Sequence, residues 1–380
     1  MTLELAPASA SAPTAPARRA PTAAERGAAR DRTLTQAAVF PRLRYMGSKY
    51  RLLPELHDVF ASVGGRTALD AFSGSGVVSY LLKASGFAVT SNDFLTFPGV
   101  IARATVANDH VTLDAELVET ICGPPADDRD FIRSTFDGVY FDRDDLAFLD
   151  SAWSHIDALT GAERDLALSA LVLSAARKQP RGVFTYTGAR YDDGRRDLRL
   201  TMAEHFRERA AEYNATVMAG AAALPHRVST LDALELSPLA VDDHPYDVVY
   251  LDPPYAPPRD DADYIKRYHF LEGLSVYWRD RPIMPDTKTK KLEKKYTPFA
   301  YGRSVEGALD AAVARFDSAG AVVLSSSSNA LPGAERIEQI LRSHRADVEL
   351  HRIGHTYSFG THSAARRTNV DEYLFVARHA

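Results

Sequence analysis

Short apolar runs separated by glycine, proline and small polar residues recur along the chain, and their periods sort them into strands and helices. Residues 246–251, Tyr-Asp-Val-Val-Tyr-Leu, are rich in β-branched and aromatic side chains and read as a buried strand. Two prolines, Pro253 and Pro254, stop it, since neither can donate a ladder hydrogen bond. Residues 67–70, 88–92, 226–231 and 321–324 read as further strands, the last followed by a serine run at 325–328. Helical periods predict helices over 52–60, 77–84, 163–177, 201–222 and 305–318, with 95–160 mostly helical. The end of the chain predicts a hairpin, 350–359 and 372–377, joined by a basic turn through Arg366 and Arg367. There is no internal repeat. Residues 1–36 are Ala, Pro, Thr and Arg with almost no large apolar side chains, and predict a disordered tail.

Composition narrows the class. The 380 residues are 45% hydrophobic, ample for one elaborated domain or two. A net charge of −5 means that any nucleic-acid partner must be met by local basic patches. A single cysteine, Cys122, excludes an intramolecular disulfide framework and a cysteine cluster for zinc, so no metal is expected. No apolar run has the length of a membrane span, and the N-terminus lacks a signal-peptide core, which predicts a cytoplasmic protein with no membrane partner.

The sharpest chemistry lies at Asp252-Pro253-Pro254-Tyr255. A carboxylate is set at the carboxyl end of a strand, on a stiff turn, beside an aromatic ring, at the edge where open α/β sheets bind ligands. A carboxylate, a backbone carbonyl and a flat ring together suit an exocyclic amino group on a planar base. A second stretch, Asp70-Ala71-Phe72-Ser73-Gly74-Ser75-Gly76, is a strand, a glycine loop and a helix. It is neither a phosphate loop, having no Gly-Lys-Ser/Thr, nor a dinucleotide fingerprint, having no third glycine. Asp93 ends the next strand, where a ribose is gripped in such an architecture, although Asn92-Asp93 can also simply turn the chain. Tyr45, Gly47 and Lys49 at a helix start can hold a ligand carrying an adenine and a carboxylate. Asp232 can accept from an adenine amine or cap a short turn. Two basic stretches, Arg177, Lys178, Arg181, Arg190, Arg195 and Arg196, then Lys290, Lys291, Lys294 and Lys295, offer charge to a phosphate backbone. His269 reads as a packed or phosphate-facing histidine before a ligand.

In order, these pieces resemble the Dam-like adenine-N6 DNA methyltransferases: Tyr45-x-Gly47-x-Lys49, Asp70-x-Phe72-x-Gly74-x-Gly76, Asp93, Asp232 and Asp252-Pro253-Pro254-Tyr255. Arg181-Gly182-x-Phe184-Thr185, Tyr268-His269-x-Leu271-Glu272 and Glu372-Tyr373-Leu374-Phe375 extend the likeness over nearly everything after the tail. The family's opening motif more often has Trp or Phe and two glycines where this chain has Tyr45 and Gly47-Ser48. The resemblance implies a Rossmann-like, doubly wound α/β sheet, mostly parallel, with a largely helical target-recognition insertion. The catalytic domain would span 37–110 and 223–380, and the insertion 111–222. It implies S-adenosylmethionine across Tyr45, Lys49, Asp70, Phe72, Gly74, Gly76, Asp93, Asp232 and Asp252. The target adenine of double-stranded DNA would be flipped out against residues 252–255, and a companion restriction or defence protein is compatible with that role. Rival readings are transfer to cytosine N4, RNA or a protein amide, or a DNA-binding module whose pocket is inactive.

Overall fold

The computed structural model describes residues 22–180, 182–185, 194–220, 224–257, 261–358 and 367–380. Helix α1, Ala23–Ala38, takes up residues 23–36 of the stretch expected to be a disordered tail, and residues 1–21 of that stretch lie outside the described residues. Its alanines favour helix, and Thr22 and Glu25 form a reciprocal capping box at its start. Arg30 is bidentate to Asp58 at 2.6 and 3.0 Å, tying α1 to helix α2, Leu53–Val63. Ala37 is fully buried, so a helix with few large side chains still docks at its far end.

Strand β1, Thr67–Asp70, leads through the glycine loop to α3, Val77–Ala84, and β2, Ala88–Asn92, as the pattern predicts. Then follow α4 (Thr96–Ala102), running into a π turn, α5 (Ala115–Ile121), α6 (Phe131–Phe136), α7 (Arg143–Ile156), α8 (Gly161–Lys178), α9 (Arg196–Arg199) and α10 (Met202–Met218). Strand β3, Arg227–Ser229, and β4, Val248–Leu251, come next, then α11 (Tyr264–Leu274) and α12 (Val305–Arg315). The chain closes with β5 (Ala321–Ser327), α13 (Ala334–His344), β6 (Asp347–Ser358) and β7 (Arg367–Arg378). Helix α13 had no sequence expectation. Strand β5 runs through serines 325–327 because they are buried between β4 and β7, with Ser325 bonded to the Tyr250 hydroxyl at 2.6 Å.

The sheet order is β3-β2-β1-β4-β5-β7-β6, parallel from β3 to β5 and antiparallel at β7 and β6. Strand β4 is buried on both faces. Val248 and Tyr250 point to one core with α1, α3, α4, α8 and α10, while Val249 and Leu251 point to another with α12 and α13. The first core runs without a break from α3 and α4 into α7, α8 and α10, so the helices of 111–222 share apolar packing with the sheet. From β1 the chain winds outward through β2 to β3, and from β4 it winds the other way to β5. The carboxyl ends of β1 and β4 are therefore a switch point, where a crevice opens.

Candidate active site at the switch point of the sheet

A cavity of about 970 Å³, counted to its open mouth, lies over those strand ends. Its wall brings together Tyr45, Lys49, Phe72, Gly74, Asp93, Asp232 and all four residues from Asp252 to Tyr255, which lie far apart in the chain. Asp252 sits beside the tip of β4, its side chain 15% exposed. Its Oδ2 lies 2.8 Å from Lys49 Nζ, and its Oδ1 has no hydrogen-bond partner among the described residues. Burial raises the Asp252 pKa; the Lys49 charge opposes the shift and Glu372 reinforces it. Lys49 is itself 4% exposed, donates to the Gly47 carbonyl at 2.7 Å and sits 4.8 Å from the centre of the Tyr255 ring. The Tyr255 hydroxyl donates to Glu372 on β7 at 3.2 Å.

Glycine is required in the loop for steric reasons. Gly74 has φ +50°, and a Cβ there would lie 2.7 Å from the Tyr45 ring. Gly76, at φ +85°, would press on Phe40, so it serves the loop's packing and is not on the cavity wall. Tyr45 stacks on Tyr268 with centroids 4.8 Å apart, and the Tyr268 hydroxyl accepts from the Met46 amide at 2.8 Å. The two turns are also pinned together by Ser48 and Ser75, whose hydroxyls are 3.1 Å apart.

Two carboxylates carry more structural duty than the sequence suggests. Asp93 accepts from the Gly74 amide at 2.8 Å and the Leu95 amide at 2.9 Å, so it holds the glycine loop while facing the cavity; burial pushes its pKa up to about 6 against those bonds. Asp70, expected as a ligand residue, is fully buried at the end of β1 and is not among the residues that line the cavity. Ser79 donates to it at 2.6 Å, and burial pushes its pKa up to about 7. The native state thus retains a proton that the unfolded chain has already lost. The resulting stability is complete below about pH 4, where an unfolded Asp is protonated, and is lost as pH rises to about 7. Asp70→Asn keeps an acceptor for Ser79 and has no proton to lose, so the fall in Tm over that range should become shallower, leaving the parts from the other carboxyls that burial raises, Asp93 and Asp252 among them. A Tm profile identical to wild type would remove Asp70 as its source.

Asp232 caps the short turn 233–235, accepting from the Leu234 amide at 3.0 Å, as one sequence reading expects, and it also lines the cavity. Sequence reasoning missed Asn92 as a hub. It donates to the Ala71 and Leu231 carbonyls and accepts from Ser229 and the Leu231 amide, locking β1, β2 and β3 at the cavity edge. The only sequence signal was a polar residue ending an apolar strand.

The basic stretches divide. Arg181 and Arg190 lie outside the described residues. Lys178 is buried, 2.9 Å from Asp145, and is no surface cation. Arg177 lies 3.6 Å from Asp197, Arg195 donates to the Pro180 carbonyl and Arg196 pairs with Glu208, so this group is largely occupied by the protein's own acceptors. Lys290 donates to the Pro285 carbonyl, Lys291 is half-buried, and Lys294, 61% exposed, lies 3.7 Å from Asp261 and Asp263. Lys295 is exposed like Lys294 but also lines the cavity. His269 is packed: its Nε2 meets the Tyr140 hydroxyl and the Phe184 carbonyl, each at 2.9 Å, and burial pulls its pKa down to about 4. Among the described residues no group of His, Cys, Asp and Glu could hold a metal, and no helix is long and apolar enough to cross a membrane.

A family model described as D12 class N6 adenine-specific DNA methyltransferase matches residues 45–296, from the first turn of the cavity to its basic loop. No curated protein matches the chain.

Proposed function

Because this chain belongs to the D12 class N6 adenine-specific DNA methyltransferases, enzymes that methylate adenine N6 in DNA, we propose that the switch-point cavity holds S-adenosylmethionine and an extruded adenine side by side. The observation that carries this assignment is Asp252, a largely buried carboxylate whose Oδ1 has no hydrogen-bond partner among the described residues, in one cavity with the glycine loop. The donor set fits the cofactor: a nucleoside with a cationic sulfonium finds acidic groups at Asp93, Asp232 and Asp252 and aromatic faces at Tyr45 and Phe72. When bound, S-adenosylmethionine supplies an electrophilic methyl group.

The protein's part is positioning and electrostatics. An adenine amino nitrogen is a poor nucleophile because its lone pair is shared with the ring. Asp252 and the Pro253 carbonyl each accept one amino hydrogen, which favours a pyramidal nitrogen with its lone pair free. The same carboxylate stabilises positive charge as it grows on that nitrogen, and its raised pKa suits it to receive the surplus proton. Tyr255 stacks on the base, and Asp93 and Asp232 hold the adenosine side. Double-stranded DNA is met by the loop of Lys290, Lys291 and Lys294, with the helices of 111–222 reading the target. A companion restriction or defence protein belongs to the same proposal.

The test is incubation of duplex oligonucleotides with labelled cofactor, followed by digestion to nucleosides. Label in N6-methyladenine is the expected product. Label solely in N4-methylcytosine would overturn the choice of base.

A further inference from the structure

Two consecutive lysines turn to opposite sides of the cavity mouth. Lys294 reaches Asp261 and Asp263, on the segment that follows Tyr255. Lys295 faces the other end. Its ammonium donates to the Phe94 carbonyl at 2.7 Å, lies 3.9 Å from the centre of the Phe94 ring, and lines the cavity with Asp93 and Asp232. The chain before them is a short turn closed by the Ile283–Leu292 bridge and by the Met284 amide on the Lys291 carbonyl. The chain after them, through Thr297 and Tyr301, continues along the same wall. The opposite support is firm: Glu272 accepts from the Thr96 amide at 2.7 Å and the Phe97 amide at 3.3 Å, fixing the backbone just beyond Phe94.

Only Lys49 and Lys295 are cationic among the described residues of the wall, and Lys49 is engaged with Asp252. An ammonium has three donors. One of those on Lys295 meets Phe94, which leaves others for the cavity beside the two carboxylates expected to face a ribose and a purine. Lys295 is exposed as a residue, but its ammonium is bonded to the Phe94 carbonyl and its side chain lines the cavity next to Asp93 and Asp232, a place an isolated phosphate contact has no reason to take.

We propose that Lys295 is a cofactor-binding residue, donating to an acceptor of the adenosine moiety, and that residues 294–301 form a strap over the cofactor end of the cavity. The inference rests on the reading that this cavity holds S-adenosylmethionine, and it moves Lys295 out of the DNA-contacting set. A charge-assisted hydrogen bond of this kind amounts to about a tenfold change in affinity or more.

The test is calorimetric titration of S-adenosylmethionine into the full-length protein without DNA, for wild type, Lys295→Met and Lys295→Gln, each checked by circular dichroism. Methionine keeps the stem on Phe94 and removes the donors; glutamine keeps donors without the charge. The expected result is a Kd raised about tenfold for Lys295→Met and less for Lys295→Gln, with the salt dependence of DNA affinity unchanged in both. Wild-type cofactor affinity in the variants, with a shallower salt slope, would make Lys295 a phosphate contact and overturn the proposal. Should Lys295→Met fail to fold, the same two outcomes are read from Lys295→Gln. Absence of cofactor binding by wild type itself would sink the underlying reading, a result distinct from failure of the variants alone.

Discussion

Asp252→Ala should lower kcat for adenine methylation by about 10³-fold or more while DNA affinity changes little. The magnitude follows from what removal of one preorganised polar group does when charge develops on the reacting atom, about 10²–10³-fold, with the loss of nitrogen activation added. The side chain is largely buried beside a strand tip and sits 2.8 Å from Lys49, so its removal leaves the Lys49 ammonium without its counter-ion as well as a bare nitrogen. DNA binding rests on phosphates and surface cations outside the cavity, and survives. Asp252→Asn should fall between the two, since an amide carbonyl still accepts but carries no charge. Single-turnover methylation with saturating cofactor measures this, and binding by anisotropy provides the control. Turnover within threefold of wild type for Asp252→Ala would end the catalytic assignment.

Much of this site could be read from the residues because strands and turns announce themselves locally. The run before Asp252 is apolar on both faces, as a central parallel strand must be, and the two prolines mark its end. Gly74 was legible because only glycine tolerates the approach of Tyr45. What failed was depth and direction. Asp70 ends β1 and Asp93 follows β2, yet only Asp93 lines the cavity: it lies two positions beyond Ser91, the register partner of Asp70, an offset that composition does not encode. Lys178 and Lys295 read as members of charge runs. Whether a lysine faces water or Asp145 or Phe94 depends on partners more than 30 residues away in the chain. The tail misread propensity: alanines with a capping box form a helix once Ala37 and Arg30 find docking sites. Helix α13 carries Ile337, Ile340 and Leu341 at helical spacing, a signal that was present in the sequence and passed over.

Lys49→Met should lower methylation at neutral pH by more than tenfold, and the loss should shrink as pH rises. The Lys49 ammonium donates to Asp252 and lies over the Tyr255 ring, the two groups proposed to meet the target base. It is thus the counter-ion of a largely buried carboxylate, and under the proposed mechanism the target's amino group competes for the same carboxylate. Breaking such a pair by removing one partner costs about 3–5 kcal/mol if the remaining charge persists, so the carboxyl takes a proton instead. The direction is fixed by the forces already present. Burial raises the Asp252 pKa and Lys49 opposes it, so removing Lys49 must raise it further. A higher pKa moves the acid limb of the kcat/KM profile upward, and alkaline pH restores the ionised form. Asp252→Ala, having no carboxyl, should show no such recovery. A fall in rate for Lys49→Met that is the same at pH 7 and pH 9 would mean that Lys49 acts on the cofactor alone, and that the pairing with Asp252 has no part in preparing the acceptor.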